Sequence, residues 1–149
     1  QDQPRWLYNE PNDVFGGWFL GNPGMNFVHV DVKKSGEVNE LQSPLFSRPV
    51  RVSGVDRQKR LTIGIRPEHV LVAGTPSEHA VPAEVASSSI QVGGQYLLML
   101  RIGDLTLKAK TRPETSKGLG KQVQVTLPTN HLMVFTEDGK RARAELRLG

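Results

Sequence analysis

The sequence contains no cysteine, which excludes disulfide bonds and thiolate metal sites within its 149 residues. The same absence agrees with a reducing compartment. No apolar run approaches about 18 residues, the length typical of a membrane-spanning helix, so the sequence predicts no such helix. The chain begins at Gln1 with neither an initiating methionine nor a signal-peptide pattern. We therefore expect it to be a fragment of a longer protein.

Neither sign of charge dominates the chain. The sequence has 19 lysines and arginines against 15 acidic residues, a net charge of +4 and a pI near 9.6. Because the two signs are interspersed, this mild excess does not predict nucleic-acid binding. The length suits one domain, and a chain of this size buries enough apolar surface to fold without disulfides or metals.

Residues 7–28 predict a short helix, a turn and the start of a strand. Pro11, Asn12 and Asp13 form a helix-start signal, because Asn or Asp can cap the free N–H groups of a first turn. Gly21 ends the helix, since glycine adopts positive φ angles readily. The apolar face of this helix is formed by Val14, Phe15, Trp18 and Phe19.

The remainder of the chain predicts short strands. Apolar and polar residues alternate over 26–34 and 61–65, as in half-buried strands. Two further alternating runs, 96–102 and 105–111, predict a hairpin. The two residues between them are Gly103 and Asp104, and glycine in the first position suits a type II′ turn.

Proline and glycine separate these strands. Residues 43–52 contain Pro44 and Pro49, and we expect an edge strand or a loop there because proline cannot donate to a ladder. Residues 81–92 predict a strand that ends at a pair of glycines. Many short strands divided by such turns indicate an antiparallel sandwich or a small barrel.

Two stretches resemble a known family. Residues 7–27 follow the pattern LY-x-x-P-x-[ND]-x-FVA-x-FIG-x-P-x-MN-[FL] without a gap, and residues 64–70 read GIRPEHV. The matching residues in the first stretch are Leu7, Tyr8, Pro11, Asp13, Phe15, Phe19, Leu20, Gly21, Pro23, Met25, Asn26 and Phe27. In this order, the two stretches resemble the region after the ATPase domain in ATP-binding subunits of bacterial ABC importers. The departures are Gly16, Gly17 and Trp18.

The resemblance implies a mainly β fold, an OB-like antiparallel β-barrel with a smaller added β-subdomain and a short N-terminal helix. Residues 1–25 would be a linker and short helix that follow an ATPase domain missing from this sequence. Residues 26–149 would form an OB/TOBE-like β domain, a single compact unit with two interleaved subdomains.

The implied function is that of a C-terminal regulatory and dimerisation domain, from an importer of sugars or glycerol 3-phosphate. The parent protein would couple ATP hydrolysis to solute uptake on the cytoplasmic, inner face of the plasma membrane. The implied partners are a second copy of the subunit, membrane-embedded permease subunits and a regulatory protein, with no nucleic acid.

The chain itself contains no nucleotide-binding motif. At Gly120 and Lys121, the phosphate-loop pattern fails because Thr115 replaces its first glycine and Gln122 replaces its hydroxyl residue. Residues 92–95 (VGGQ) resemble the LSGGQ signature without its serine, and a hairpin break explains them better. We therefore predict no cofactor and no enzymatic activity in this fragment. ATP and Mg²⁺ would be bound by the missing domain.

No catalytic or metal-ligating residues are predicted either. The four histidines lack the short spacings typical of a metal site, and none lies beside a suitable pair of carboxylates. They are His29, His69, His79 and His131.

Interface or regulatory roles are predicted for nine residues. They are Phe15, Trp18, Phe19, Met25, Asn26, Arg66, Pro67, Glu68 and His69. For the last four, two interpretations stay open together. In one, Pro67 ends a strand while Arg66 and Glu68 hold a turn through an ion pair or backbone hydrogen bonds. In the other, the four residues form a contact surface.

A rival function belongs to another class. The chain would then be a free-standing OB/MOP-like module for an oxyanion such as molybdate or for single-stranded nucleic acid. Three consecutive serines, Ser87, Ser88 and Ser89, fit an oxyanion through hydroxyl and N–H groups, but they also fit a serine-rich strand or bulge. Titration with molybdate and with a short oligonucleotide separates these functions.

Overall fold

The computed structural model of the chain describes residues 24–55 and 58–148, in which strands are the main secondary structure and every strand pair is antiparallel. Its strands are β1 (Asn26–Ser35), β2 (Val38–Gln42), β3 (Val50–Ser53), β4 (Arg60–Ile65), β5 (Leu71–Ala73), β6 (Val81–Ile90), β7 (Tyr96–Ile102), β8 (Leu105–Thr111), β9 (Gln122–Thr126), β10 (Met133–Phe135), β11 (Arg141–Ala142) and β12 (Glu145–Leu148). A short helix, α1 (Pro113–Lys117), follows β8, and 3-10 turns occupy Pro67–His69 and Thr129–His131.

The strands form two sheets. The first sheet has the order β11-β10-β4-β1-β2-β3-β12, and the second has the order β5-β9-β6-β7-β8. Both sheets curl into half-barrels, which confirms the predicted mainly β, OB-like fold. No helix among the described residues is long and apolar enough to span a membrane.

The alternating segments form strands where the sequence predicts them. In β1, Val28 and Val30 are buried while His29 and Asp31 are exposed. β7 and β8 pair in the predicted hairpin, which closes at Gly103 with a φ of 58°. This positive φ is the conformation that glycine reaches without strain, and it explains glycine in the first turn position.

Segment 43–52 differs in part from its prediction. Residues 43–49 are a loop, but β3 starts at Val50 and lies between β2 and β12, so it is not an edge strand. The physical reason is the position of Pro49. It precedes the strand, so every residue of β3 keeps the N–H that a strand with two neighbours requires.

A shared aliphatic core joins the sheets. Val28 and Ile65 from the first sheet are buried with the inward side chains of the second sheet. The second-sheet members are Val72, Val81, Ala83, Leu98, Leu100, Ile102, Leu107, Ala109, Val123 and Val125. A separate cluster, which includes Val30, Leu41 and Ile63, lies within the first sheet. The shared core therefore depends on residues from both halves of the fold.

A small aromatic cluster covers the other face of the first sheet. Phe135 is completely buried and meets Phe27 edge to face, with ring centroids 6.0 Å apart. Met25 completes this cluster. Gly64 lies beneath it, since a Cβ there would stand only 3.1 Å from a ring carbon of Phe27. The glycine of the GIRPEHV motif thus makes room for the aromatic rings.

The chain crosses between the sheets twice. It leaves the first sheet after β4 through the turn Pro67–His69, and it returns before β10 through the turn Thr129–His131. The predicted N-terminal helix lies in 1–23, outside the described residues. The proposed boundary between residues 25 and 26 remains a prediction.

Candidate regulatory surface at the sheet crossings

The first crossing is built by the residues that the GIRPEHV motif singles out. Pro67 is buried in the first position of the turn, where its fixed φ is favourable and its missing N–H removes no bond. His69 N–H donates to the Arg66 carbonyl at 3.0 Å, and Val70 N–H donates to the Pro67 carbonyl at 3.3 Å. The predicted turn is therefore confirmed, and backbone hydrogen bonds hold it.

The side chains beside Pro67 point to a surface role. Glu68 is exposed, whereas Arg66 and His69 are half-buried. Neither Arg66 nor Glu68 forms a salt bridge in the part of the chain that the structure describes. Within the described ranges, a cation and an anion without an ion-pair partner thus lie two residues apart on a fixed turn.

The second crossing contributes a residue that the sequence did not single out. The ring of His131 stacks on that of His69, with centroids 3.9 Å apart and planes inclined by 22°. The two histidines lie on different turns and are distant in sequence, so spacing rules offer no signal for the pair. We call Arg66, Glu68, His69 and His131 the crossover surface.

The histidine pair has the geometry of packing. Nearly parallel rings direct their nitrogen lone pairs side by side, whereas metal ligands must converge on one point. Among the described residues, no group of three or more His, Asp or Glu side chains is placed to hold a metal ion. The crossover surface thus offers charges and two imidazole rings for recognition.

Asn26 has a structural role that its burial makes clear. Its side-chain N–H donates to the Lys108 carbonyl at 2.9 Å, and Lys108 N–H donates to its Oδ1 at 2.7 Å. The amide therefore pairs with the backbone of β8 and links the first sheet to an edge of the second. Asn26 and Met25 are only 6% and 7% exposed, so any effect they have on an interface passes through packing.

Other predicted residues lie elsewhere. Phe15, Trp18 and Phe19 fall outside the described residues. Ser87, Ser88 and Ser89 lie on β6 beyond a bulge, which confirms a serine-rich strand.

The two sequences that resemble nucleotide-binding motifs both lie in connections. Gly93 and Gly94 turn the chain between β6 and β7 with φ angles of 94° and 85°, as expected for a hairpin break. Gly120 and Lys121 lie between α1 and β9.

Comparison with known families gives two adjoining matches. The MalK OB fold domain matches residues 21–70, and the TOBE domain matches residues 63–135.

Curated relatives are similar over most of this chain but are much longer. The sn-glycerol-3-phosphate import ATP-binding protein UgpC of Bordetella avium is 30% identical over 72% of this chain and 31% of its own length. The maltose/maltodextrin import ATP-binding protein MalK of Aliivibrio fischeri is 30% identical over 92% of the chain and 38% of its own length. The sulfoquinovosyl glycerol transport ATP-binding protein SmoE of Agrobacterium fabrum is 28% identical over 93% of the chain and 39% of its own length. The chain thus spans less than half of these relatives.

Proposed function

Because the chain belongs to the MalK OB fold and TOBE domain families, we propose that it is the C-terminal regulatory and dimerisation domain of a bacterial ABC importer's ATP-binding subunit. The order of the two family matches carries this proposal. They overlap at 63–70, where the chain passes from the first sheet to the second. The two matches thus adjoin in one chain, and the GIRPEHV motif lies where they overlap.

The transported solute belongs to the class of sugars or glycerol phosphates. Three relatives are named for glycerol 3-phosphate, maltodextrin and sulfoquinovosyl glycerol, which are all carbohydrates or glycerol derivatives. This chain acts after solute recognition, which belongs to a binding protein and to the permease subunits. ATP and Mg²⁺ bind to a domain that precedes Gln1, on the cytoplasmic side of the membrane.

The fold suits a domain that holds subunits together and binds a regulator. The shared core and the Asn26 link join the two sheets into one packed body. Such a body holds two subunits together while their ATPase domains open and close. A regulator that binds the crossover surface more tightly in one of these two states shifts the equilibrium toward it.

Sequencing the gene upstream of the Gln1 codon is the direct test. We expect an open reading frame with a phosphate loop and an LSGGQ signature. A start codon next to Gln1 would overturn the proposal. Titrations of molybdate and of a short oligonucleotide would then decide between the rival functions, with binding weakened by high salt only for the oligonucleotide.

Dimerisation is tested in the full-length subunit. Deletion of residues 24–149 should weaken subunit association, measured by analytical ultracentrifugation, by about tenfold or more, because a second contact raises the effective concentration of the first. Unchanged association would remove the dimerisation role. The isolated chain should show no heat of binding for MgATP, and saturable binding would contradict the placement of the nucleotide site.

A further inference from the structure

The outer half of the β6–β7 hairpin differs in charge from the rest of the chain. No residue from 85 to 100 is charged, although charged residues make up 23% of the sequence. At its tip, Val92 is fully exposed and Ile90 is 67% exposed. Exposed apolar residues without charged neighbours are typical of the central part of protein interfaces.

This hairpin also carries a free strand edge. β9 pairs with the first part of β6 only, and its last rung joins Glu84 to Gln122. One more bond follows, from Val85 N–H to the Lys121 carbonyl at 2.8 Å. Beyond it, residues 86–90 pair with β7 on one side, and no strand of the described ranges pairs with the other side. All five residues are exposed.

The edge strand β8 carries charged residues, whereas residues 86–90 carry none. Along the edge strand β8, Lys108 and Lys110 supply charge, and Asn26 binds the backbone of Lys108. Residues 86–90, of sequence ASSSI, contain neither lysine nor proline. A β-bulge between Val85 and Ser87 bends the hairpin at its base, where pairing with β9 ends. The segment therefore presents N–H and C=O groups that no strand of the described ranges pairs.

We propose that residues 86–90 pair antiparallel with the same residues of a second copy, about a two-fold axis at Ser88. In this register Ser88 faces its own copy, Ser87 faces Ser89, and the small Ala86 faces the larger Ile90. Serine pairs across a ladder form hydrogen bonds, and a two-fold contact places the same patch on both subunits. The contact rests on the proposed dimerisation function and assigns its residues.

Self-complementarity favours a second copy as the occupant. In the proposed register each residue of 86–90 meets an uncharged residue of the same segment, so a two-fold contact brings no like charges face to face. Because the contact is short, it is weak for the isolated chain, and it is strengthened in the full-length protein when the ATPase domains hold the subunits close.

The absence of cysteine provides a direct test. Ser88→Cys introduces one thiol per chain, and at the two-fold axis the paired Cβ atoms would lie about 4.5–5.5 Å apart. A small movement of the strands then brings them to the about 3.5–4.5 Å that a disulfide requires. Under mild oxidation we expect Ser88→Cys to form dimers about tenfold faster or more than Ser77→Cys, an exposed loop control. Ser87→Cys and Ser89→Cys should cross-link more slowly, because neither faces its own copy. Equal rates for Ser88→Cys and Ser77→Cys would overturn the proposal.

A second variant separates this contact from dimerisation in general. Ser88→Lys places two like charges opposite each other and should weaken association of the full-length subunit by about tenfold, whereas Ser77→Lys should not. If Ser88→Lys leaves association unchanged, the proposed contact at 86–90 is wrong, but the dimerisation role of the domain is not contradicted. If deletion of 24–149 also leaves association unchanged, both the contact and the dimerisation role are wrong. Hydrogen exchange of the backbone N–H groups in 86–90 gives a further check. If it slows only when a polythreonine peptide is added, the edge binds a foreign strand and the proposal is overturned.

Discussion

The two sheets are assembled from the chain in different ways. The second sheet uses one continuous segment, 71–126, and two of its four strand pairs join strands that follow each other in the chain. The first sheet combines 26–65 with 133–148, so β10 must return to pair with β4 and β12 with β3. Val134 thereby lies opposite Ile63, with the whole second sheet between them in sequence.

This difference concerns both folding and function. Pairing between strands that are near in sequence has a low entropic cost of loop closure. The hairpins of the second sheet can therefore form before the first sheet is complete. The first sheet becomes complete only when the last strands return through the second crossing. That return also brings His131 to His69. The crossover surface therefore requires both crossings to be in place.

Phe135→Ala should have the largest effect and tests whether the sheets unfold together. Phe135 is fully buried where β10 joins β4, and its truncation should cost about 3–5 kcal/mol in the free energy of unfolding. Since the sheets share a core, hydrogen exchange should accelerate in both. Phe135→Leu should recover most of the loss. Retained protection of β7 and β8 in Phe135→Ala would show that the second sheet is stable by itself.

Asn26→Ala removes the link between the sheets. It breaks two hydrogen bonds to the backbone of Lys108, each with a net value of about 0.5–1.5 kcal/mol. We therefore expect the free energy of unfolding, measured with denaturant, to fall by about 1–3 kcal/mol. Asn26→Asp keeps the acceptor for Lys108 N–H but loses the donor, and it should be no more stable than Asn26→Ala. Asn130→Ala, at an exposed residue, is the control. Equal stability of Asn26→Ala and the unsubstituted chain would contradict the structural role.

Gly64→Ala tests the space under the aromatic cluster. Its Cβ would lie 3.1 Å from Phe27 and 3.3 Å from both Met25 and Phe135. We expect the free energy of unfolding to fall by about 1 kcal/mol, which is the lower end of the range for overpacked cores, because these side-chain ends can shift slightly. Thermal unfolding measures it, with Gly120→Ala as the control since a Cβ there meets nothing within 4 Å. A stabilised Gly64→Ala variant would show that the cluster adjusts freely.

Asp138, at the end of the first sheet, should give the smallest effect. The Thr136 hydroxyl donates to its carboxylate, and this bond, with further help from Lys140, lowers the pKa of Asp138 below its usual 3.8. Because the folded state favours the ionised form, its contribution to stability is present above pH 3.8 and is lost as pH falls through the lowered pKa. NMR titration should therefore give a midpoint below 3.8, and Thr136→Val should raise it. A midpoint at or above 3.8 would contradict this arrangement.

Local rules predicted much of the fold and part of the candidate surface. The β7–β8 hairpin followed from alternation and from Gly103, and the turn at Pro67 followed from proline chemistry. The position of β3 was missed because Pro49 signals a break, while the neighbours of a strand depend on register. His131 was missed for a similar reason, since no sequence spacing relates it to His69.

The sequence by itself determined the strand pattern, the turns and the family resemblance, because alternation and glycine or proline chemistry act between near neighbours. Tertiary structure alone decided the Asn26–Lys108 link, the space over Gly64, the histidine stack and the free edge at 86–90. Each of these depends on which distant strands become neighbours and on where their pairing ends. The packing of the whole core determines which distant strands become neighbours.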